Sequence, residues 1–350
     1  MNEQLQNPFN ITFGKYPYDV IQRHDLFEEI INAFDNDIAG APLYILAGAR
    51  GSGKTVSMTA IANHYKKENN WIVVDVNPHL DILEQLAASL LHKGKLKKLF
   101  LKKEFSFSFK GLSFSISGDE PVSSISSLLD IMFTYLKRKE ISVLVTIDEA
   151  NNNEYMRTFA HSFQSFLRQD YDVRLLMTGL YENISDLEND KSLTFLYRAP
   201  KIYLLPLNIR AIAYSYIDLL GMSEKEAIKA AKITKGYAFG YQLLGYILFN
   251  QKKVTVDEQV LREFDLALDE KSYSKIYSEL TNKEKEIVHA IANGNNTNEK
   301  VMSVLDMKSN ALAVYKQILN KKGILDVSIR GRLEFALPRF DNFVLFQEKL

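Results

Sequence analysis

Eight residues restrict the fold of this chain more than any others: Gly48-Ala49-Arg50-Gly51-Ser52-Gly53-Lys54-Thr55. They satisfy G-x-x-x-x-G-K-[ST], a phosphate-cradling loop when a strand leads into it and a helix leaves it. Both flanks are present. Pro42-Leu43-Tyr44-Ile45-Leu46-Ala47 reads as a short buried strand. Val56, Met58, Ile61, Ala62 and Tyr65 then recur at helical spacing. The glycines let successive N–H groups turn towards one centre, and the N-terminus of the helix adds positive potential. The candidate phosphate-binding set is therefore Gly48, Ala49, Arg50, Gly51, Ser52, Gly53, Lys54, Thr55 and Val56. Lys54 is the residue that reaches the β- and γ-phosphates of a nucleotide, with a catalytic part in their transfer. The Thr55 hydroxyl is a ligand for Mg²⁺.

A second motif lies about ninety residues downstream, where Ile141-Ser142-Val143-Leu144-Val145-Thr146-Ile147 runs into Asp148-Glu149. A buried strand ending in two adjacent carboxylates is the Walker B pattern. Asp148 would hold the metal through water, and Glu149 would polarise the attacking water as a base. Val173-Arg174-Leu175-Leu176-Met177-Thr178-Gly179 reads as a further buried strand. In the additional-strand (ASCE) class of P-loop folds, such a strand lies between the first strand and the Walker B strand. Thr178, its terminal polar residue, is then a candidate sensor of the γ-phosphate. Arg198 is a candidate arginine finger towards a neighbouring copy, with a plain surface arginine as the alternative. A last strand is expected at Ile202-Tyr203-Leu204-Leu205.

Composition narrows the class. The chain has 350 residues, 46% hydrophobic and 25% charged, enough for two or three globular domains. A formal net charge of zero argues against coating nucleic acid by bulk charge, though not against a local patch. With no cysteine there is no disulfide, thiolate metal site or cysteine nucleophile, which suits a reducing cytoplasm. No signal peptide or membrane-spanning run is visible, so a cytoplasmic protein without a membrane partner is expected. The six histidines do not cluster at ligand spacing.

The remaining segments suggest three bodies: residues 1–205 as an ATPase core with an N-terminal arm, 206–272 as a helical lid, and 273–350 as a winged helix. The arm carries Phe9, Phe13, Tyr18, Ile21 and Arg23. Either Tyr18 and Ile21 pack on an adenine ring, with Arg23 beside the nucleotide, or Phe9 and Phe13 staple a tail to the core. Asp25 with Glu28 reads as a capping box, and Pro121 as a helix start. A basic run of Lys93, Lys95, Lys97, Lys98, Lys102 and Lys103 precedes a hairpin insertion near 104–117. There Phe105, Phe107 and Phe109, then Leu112, Phe114 and Ile116, alternate with polar residues. Lysines beside aromatics suit single-stranded nucleic acid, but inward phenylalanines and a solvated lysine face are favoured.

From Pro206 the pattern turns helical. Asn208 opens one helix, and Ser223 with Glu226, Thr255 with Glu258 and Thr281 with Glu284 are spaced as capping boxes. Three short helices from Thr281 to Lys321 precede a hairpin around Arg330-Gly331-Arg332, which spells a winged helix-turn-helix. The outward face of its third helix is expected to carry Asn310, Ala313, Lys316, Gln317 and Lys321, with Arg330 and Arg332 at the wing tip. Residues 281–350 hold 11 Lys plus Arg against 8 Asp plus Glu, a mild excess. This face suits double-stranded DNA in a major groove, and a winged helix equally serves as a protein-packing module.

Together the loop at 48–55, Ile147-Asp148-Glu149, Thr178-Gly179, the lid and the winged helix resemble the AAA+/STAND ATPases. The likeness is to the archaeal-type ATPase group and the origin-recognition replication initiators. It implies an α/β parallel sheet of the ASCE class, ATP or ADP with Mg²⁺, slow hydrolysis, and nucleotide-linked domain rearrangement or homo-oligomer assembly. One departure stands out. Replication initiators usually carry a sensor-2 arginine at the start of a lid helix. The matching stretch here, Lys235-Gly236-Tyr237-Ala238-Phe239-Gly240, has none, and Lys235 is a weak substitute. The expected activity is that of a Mg-dependent ATPase switch acting on DNA. The rival is a STAND-type signalling or scaffold protein whose target is another protein. A small-molecule kinase fits less well, since it needs no winged helix.

Overall fold

The computed structural model describes residues 6–12, 16–36, 41–92, 106–109, 112–115, 124–191, 193, 196–328 and 331–347. The basic run at 93–103, together with Phe13, Phe105, Pro121 and Arg330, lies outside them. The chain divides into two compact units. One comprises residues 24–47 and 57–202; the other comprises residues 1–23, 48–56 and 203–350.

The first unit is built on a five-stranded sheet of order β2-β5-β6-β1-β7. Its strands are β1 (Leu43–Ala47), β2 (Trp71–Val76), β5 (Ser142–Ile147), β6 (Val173–Gly179) and β7 (Lys201–Tyr203). The pairs β2–β5, β5–β6 and β6–β1 are all parallel. Strands β1, β5 and β6 are buried at every residue, as their largely apolar runs require of a sheet covered on both faces; Ser142, Thr146, Arg174 and Thr178 are the polar residues buried within them. The additional strand does fall between β1 and the Walker B strand. Register pairs Ala47 with Gly179 and Ile147 with Met177, so β1, β6 and β5 end at one edge.

Helices α1 (His24–Asp35), α2 (Lys54–Tyr65), α3 (Ile82–His92), α4 (Ile125–Arg138), α5 (Glu154–Arg168) and α6 (Tyr181–Asn189) alternate with these strands. Two starts differ from expectation. Helix α1 begins one residue before Asp25, and α4 is capped by Ser124, whose side chain accepts from Ser127 N–H, rather than opened at Pro121. Residues Ser106–Phe109 (β3) and Leu112–Ser115 (β4) pair antiparallel as the expected insertion hairpin, Phe107 opposite Phe114. Strand β7 sits one residue earlier than expected and stops at Tyr203.

The second unit is helical. Asn208 caps α7 (Ile209–Leu220), which Gly221 closes in the left-handed conformation at φ 65°. Helices α8 (Glu224–Ile233), α9 (Ala238–Gln251) and α10 (Glu258–Leu268) follow. Helix α10 is capped by Asp257, not Thr255: the Asp257 carboxylate accepts from Val260 N–H at 2.9 Å. A π-helical turn, Asp269–Tyr273, joins α10 to α11 (Ser274–Ser278). Three helices, α12 (Asn282–Ala292), α13 (Asn298–Leu305) and α14 (Ser309–Lys321), then lead to a short antiparallel pair, β8 (Leu325–Asp326) and β9 (Glu334–Phe335). That is the winged helix-turn-helix order, with a wing shorter than expected. Helix α15 (Phe340–Gln347) ends the described chain. Of the three capping boxes expected in this unit, the reciprocal one forms at Thr281–Glu284, while Ser223 makes only its own half.

A single apolar cluster runs through this unit from α7 to α15. The arm belongs to it. Phe9 is 2% exposed and meets Tyr216 and Tyr241 edge-on. A methyl group on Gly245 would come within 2.5 Å of the Phe9 ring, so glycine is what admits it. Asp19 accepts from the hydroxyls of Ser215 (2.6 Å) and Tyr241 (2.5 Å). Among the described residues no helix is long and apolar enough to cross a membrane.

Candidate nucleotide site

The phosphate-loop residues begin where β1 ends. Gly51 and Gly53 take φ of +69° and +93°, left-handed values that a residue with a Cβ resists. The carbonyls from Gly48 to Ser52 are all engaged. Lys54 Nζ donates to Gly48 O (2.9 Å) and Ala49 O (2.7 Å). The Tyr237 hydroxyl donates to Arg50 O at 2.9 Å, and Phe239 N–H to Gly51 O at 3.0 Å. Arg23 donates to Ser52 O at 2.9 Å and also to Leu205 O. The Arg50 side chain forks onto Glu279, with its closest approach at 2.7 Å.

Electrostatics keep these donors in their roles. Burial lowers the Arg23 guanidinium to about 10, which still leaves it charged at neutral pH. Burial pushes the Tyr237 phenol up, so its proton stays in place; Ser272 Oγ lies 2.8 Å from the same hydroxyl. Burial also raises the Glu279 carboxyl, but Arg50 and Lys275 outweigh it and hold it below the usual range.

The residues present fit a phosphate chain. The first turn of α2, beginning at Lys54, holds no acidic residue, and the positive end of a helix dipole favours an anion there. Ser52 Oγ is buried without a hydrogen-bond partner.

The acidic pair sits where β5 ends. Thr178, fully buried on β6, donates its hydroxyl to the Asp148 carboxylate. Glu149 N–H is shared between Asp148 Oδ1 (3.1 Å) and Thr178 Oγ1 (3.3 Å). Glu149 itself takes φ 54°, a strained value for a residue with a Cβ, and its side chain is exposed. Ala150 N–H donates to Thr178 O at 2.8 Å, which closes the link between the two strand ends.

Other candidates resolve less simply. Tyr18 is 86% exposed, whereas Ile21 is half-buried against the helical core. Arg198 is exposed in a 3-10 turn, Leu196–Arg198. Lys235 donates to Phe335 O at 2.8 Å, so it is committed to β9. On the winged helix, Gln317 and Lys321 are exposed as expected. Lys316 is not outward: it is half-buried and donates to Asn298 Oδ1 at 2.9 Å. Arg332 is exposed and within 3.9 Å of Glu334. Sequence reasoning assigned Tyr237 no role. The sequence shows only that it follows a glycine; the structure places it at the N-cap of α9, without a side-chain cap bond and after two left-handed residues, Lys235 and Gly236.

Comparison with known proteins agrees with this architecture. Residues 22–183 match a family described as "Type III restriction enzyme, res subunit", and residues 270–344 match a domain of unknown function, DUF8462. No curated protein matches the chain. Among solved structures, Cdc6p from Pyrobaculum aerophilum superposes with a TM-score of 0.51 at 17% identity, over 97% of this chain and 96% of that one. The Aeropyrum pernix ORC2 protein, in ADPNP–ADP complexes, superposes with a TM-score of 0.54 at 12% identity, over 97% and 98%. At these identities the likeness is one of fold: the chain has the P-loop NTPase fold of AAA+ type, with a helical lid and a C-terminal winged helix.

Proposed function

We propose that the protein binds ATP with Mg²⁺, hydrolyses it slowly to ADP and phosphate, and uses the nucleotide state as a switch. The observation that carries this reading is the phosphate loop, with its Gly48 to Ser52 carbonyls engaged, its two left-handed glycines and its orphan Ser52 hydroxyl. Lys54 and the N–H groups of the loop and α2 hold the phosphates. Glu149 takes a proton from water as the water oxygen attacks the γ-phosphorus, and ADP leaves with the electron pair of the broken bond. Thr178 keeps Asp148 in place. Thr55 and Asp148, the hydroxyl and carboxylate of the two sequence motifs, are the candidate ligands of a Mg²⁺ that would neutralise charge on the phosphates.

Calorimetry and a phosphate-release assay test this reading. Lys54→Ala should weaken ATP binding by about 10- to 100-fold, since a hydrogen bond to a charged group contributes about 1.5–3 kcal/mol. Glu149→Gln should bind ATP normally and release no phosphate. Tight ATP binding by the Lys54 variant would refute the assignment.

The target of the switch is DNA on the first reading, with Gln317, Lys321 and Arg332 as contacts. A specific observation favours the second, a protein target. Lys316, expected on the outward face of α14, is drawn inward to Asn298, which leaves that face less basic than a DNA-reading helix would need. Gel shifts across a salt series separate the two. Charge-driven DNA binding weakens with salt, and Arg332→Ala should flatten that slope by about one unit.

A further inference from the structure

Each of the five carbonyls from Gly48 to Ser52 accepts a hydrogen bond: Gly48 and Ala49 from Lys54 Nζ, Arg50 from Tyr237, Gly51 from Phe239 and Ser52 from Arg23. In a trans peptide the C=O of one residue and the N–H of the next point in opposite directions. Fixing the Arg50 carbonyl towards Tyr237 therefore aims the Gly51 N–H to the opposite side. Fixing the Ser52 carbonyl towards Arg23 does the same for the Gly53 N–H. The peptide between them behaves differently: Phe239 holds the Gly51 carbonyl, and the Ser52 N–H turns back onto Ala49 O at 3.3 Å. Gly51 and Gly53 are the loop's two left-handed residues, and glycine by itself populates many backbone conformations.

We propose that Tyr237 and Arg23 are positioning residues for the polyphosphate, presetting the N–H groups of Gly51 and Gly53 before a nucleotide arrives. The proposal rests on the nucleotide reading above. Both residues grip main chain and have no preference for a third phosphate. They therefore support ATP and ADP equally, unlike a sensor arginine that grips the γ-phosphate.

The test uses the full chain and compares Mg²⁺-bound ADP with a non-hydrolysable ATP analogue by calorimetry. Tyr237→Phe keeps the ring and loses only the hydroxyl. Its affinity for both nucleotides should fall by the same factor, about 5- to 30-fold for one lost bond to a held carbonyl. Arg23→Ala should behave alike. Ser272→Ala removes the other partner of the Tyr237 hydroxyl and should leave affinity within twofold. In nucleotide-free protein labelled with ¹⁵N-glycine, Tyr237→Phe should displace the Gly51 amide signal and Arg23→Ala that of Gly53. Unchanged remaining signals show that each variant is folded, a readout that simple loss of packing would not give. Three results overturn the proposal: Tyr237→Phe binding both nucleotides as the wild type does, loss confined to the ATP analogue, or Ser272→Ala weakening binding as much as Tyr237→Phe. If the wild type binds neither nucleotide, the underlying reading fails and this one with it. If the wild type binds and Lys54→Ala does not, the underlying reading holds and the variants alone decide.

Discussion

Glu284 illustrates how one residue can serve two purposes. Its side chain accepts from Thr281 N–H at 2.7 Å to complete the α12 capping box, and it pairs with Lys322 at 2.8 Å. Both partners of the pair are nearly buried, at 3% and 10% side-chain exposure. Removing one partner of such a pair leaves a charge without compensation. Lys322→Ala should therefore cost about 3 kcal/mol, the lower part of the range for broken buried pairs, because the Thr281 N–H remains. Thermal unfolding would show it, and a loss under 1 kcal/mol would mean that water reaches the site. Thr281 and Glu284 were legible as a spacing of three. Lys322, from the end of α14, was not, because no sequence rule links a capping box to a residue so far along the chain.

At the scale of elements, the π-helical turn Asp269–Tyr273 connects two observations. Ser272 meets the Tyr237 hydroxyl, and the Tyr273 hydroxyl donates to Pro338 O at 2.5 Å. Asp269, at the start of the turn, is raised to about 6 by burial first and the neighbouring Asp265 second. A carboxylate whose folded pKa lies above its unfolded value binds more protons in the folded state. It weakens the fold increasingly as pH rises from about 3.8 to about 6, and by a constant amount above that. Asp269→Asn should thus melt higher than the wild type at pH 7.5, with an advantage that shrinks towards pH 4. An advantage independent of pH would assign the effect to packing. Solvent around this half-exposed group limits its size. Such a turn has no sequence signature: it arises where α10 and α11 must both satisfy a common core, whereas the starts of α7 and α12 were readable from Asn208 and Thr281.

Across the whole molecule, the chain passes between its two compact units four times, at Arg23–His24, Ala47–Gly48, Val56–Ser57 and Ile202–Tyr203. The phosphate loop groups with the arm and the C-terminal helices, although the strand before it belongs to the sheet. A chain ending at Leu205 would lose Tyr237, Phe239 and Glu279, the partners of Arg50 and Gly51. It should bind ATP at least about tenfold more weakly than the full chain, given about 1 kcal/mol or more for each lost bond. Equal affinity by calorimetry would show that the loop needs no support from residues 206–347. Light scattering with and without ATP, with duplex DNA added, addresses assembly: a mass that rises only with nucleotide is the expected outcome.

What the sequence determined by itself was local in origin. The eight loop residues, the buried runs that become β1, β5 and β6, the acidic strand end and most of the helix caps follow from spacing and residue chemistry within a few positions. Only the tertiary structure decided which distant donors meet the loop's carbonyls, that Lys316 turns inward, that Lys235 holds β9, and that Thr178 binds Asp148. Those contacts join residues up to 188 positions apart, and a polar group's partner at such separations is set by how the helices pack. Packing depends on the shape of the whole core, and no short window of sequence contains that shape.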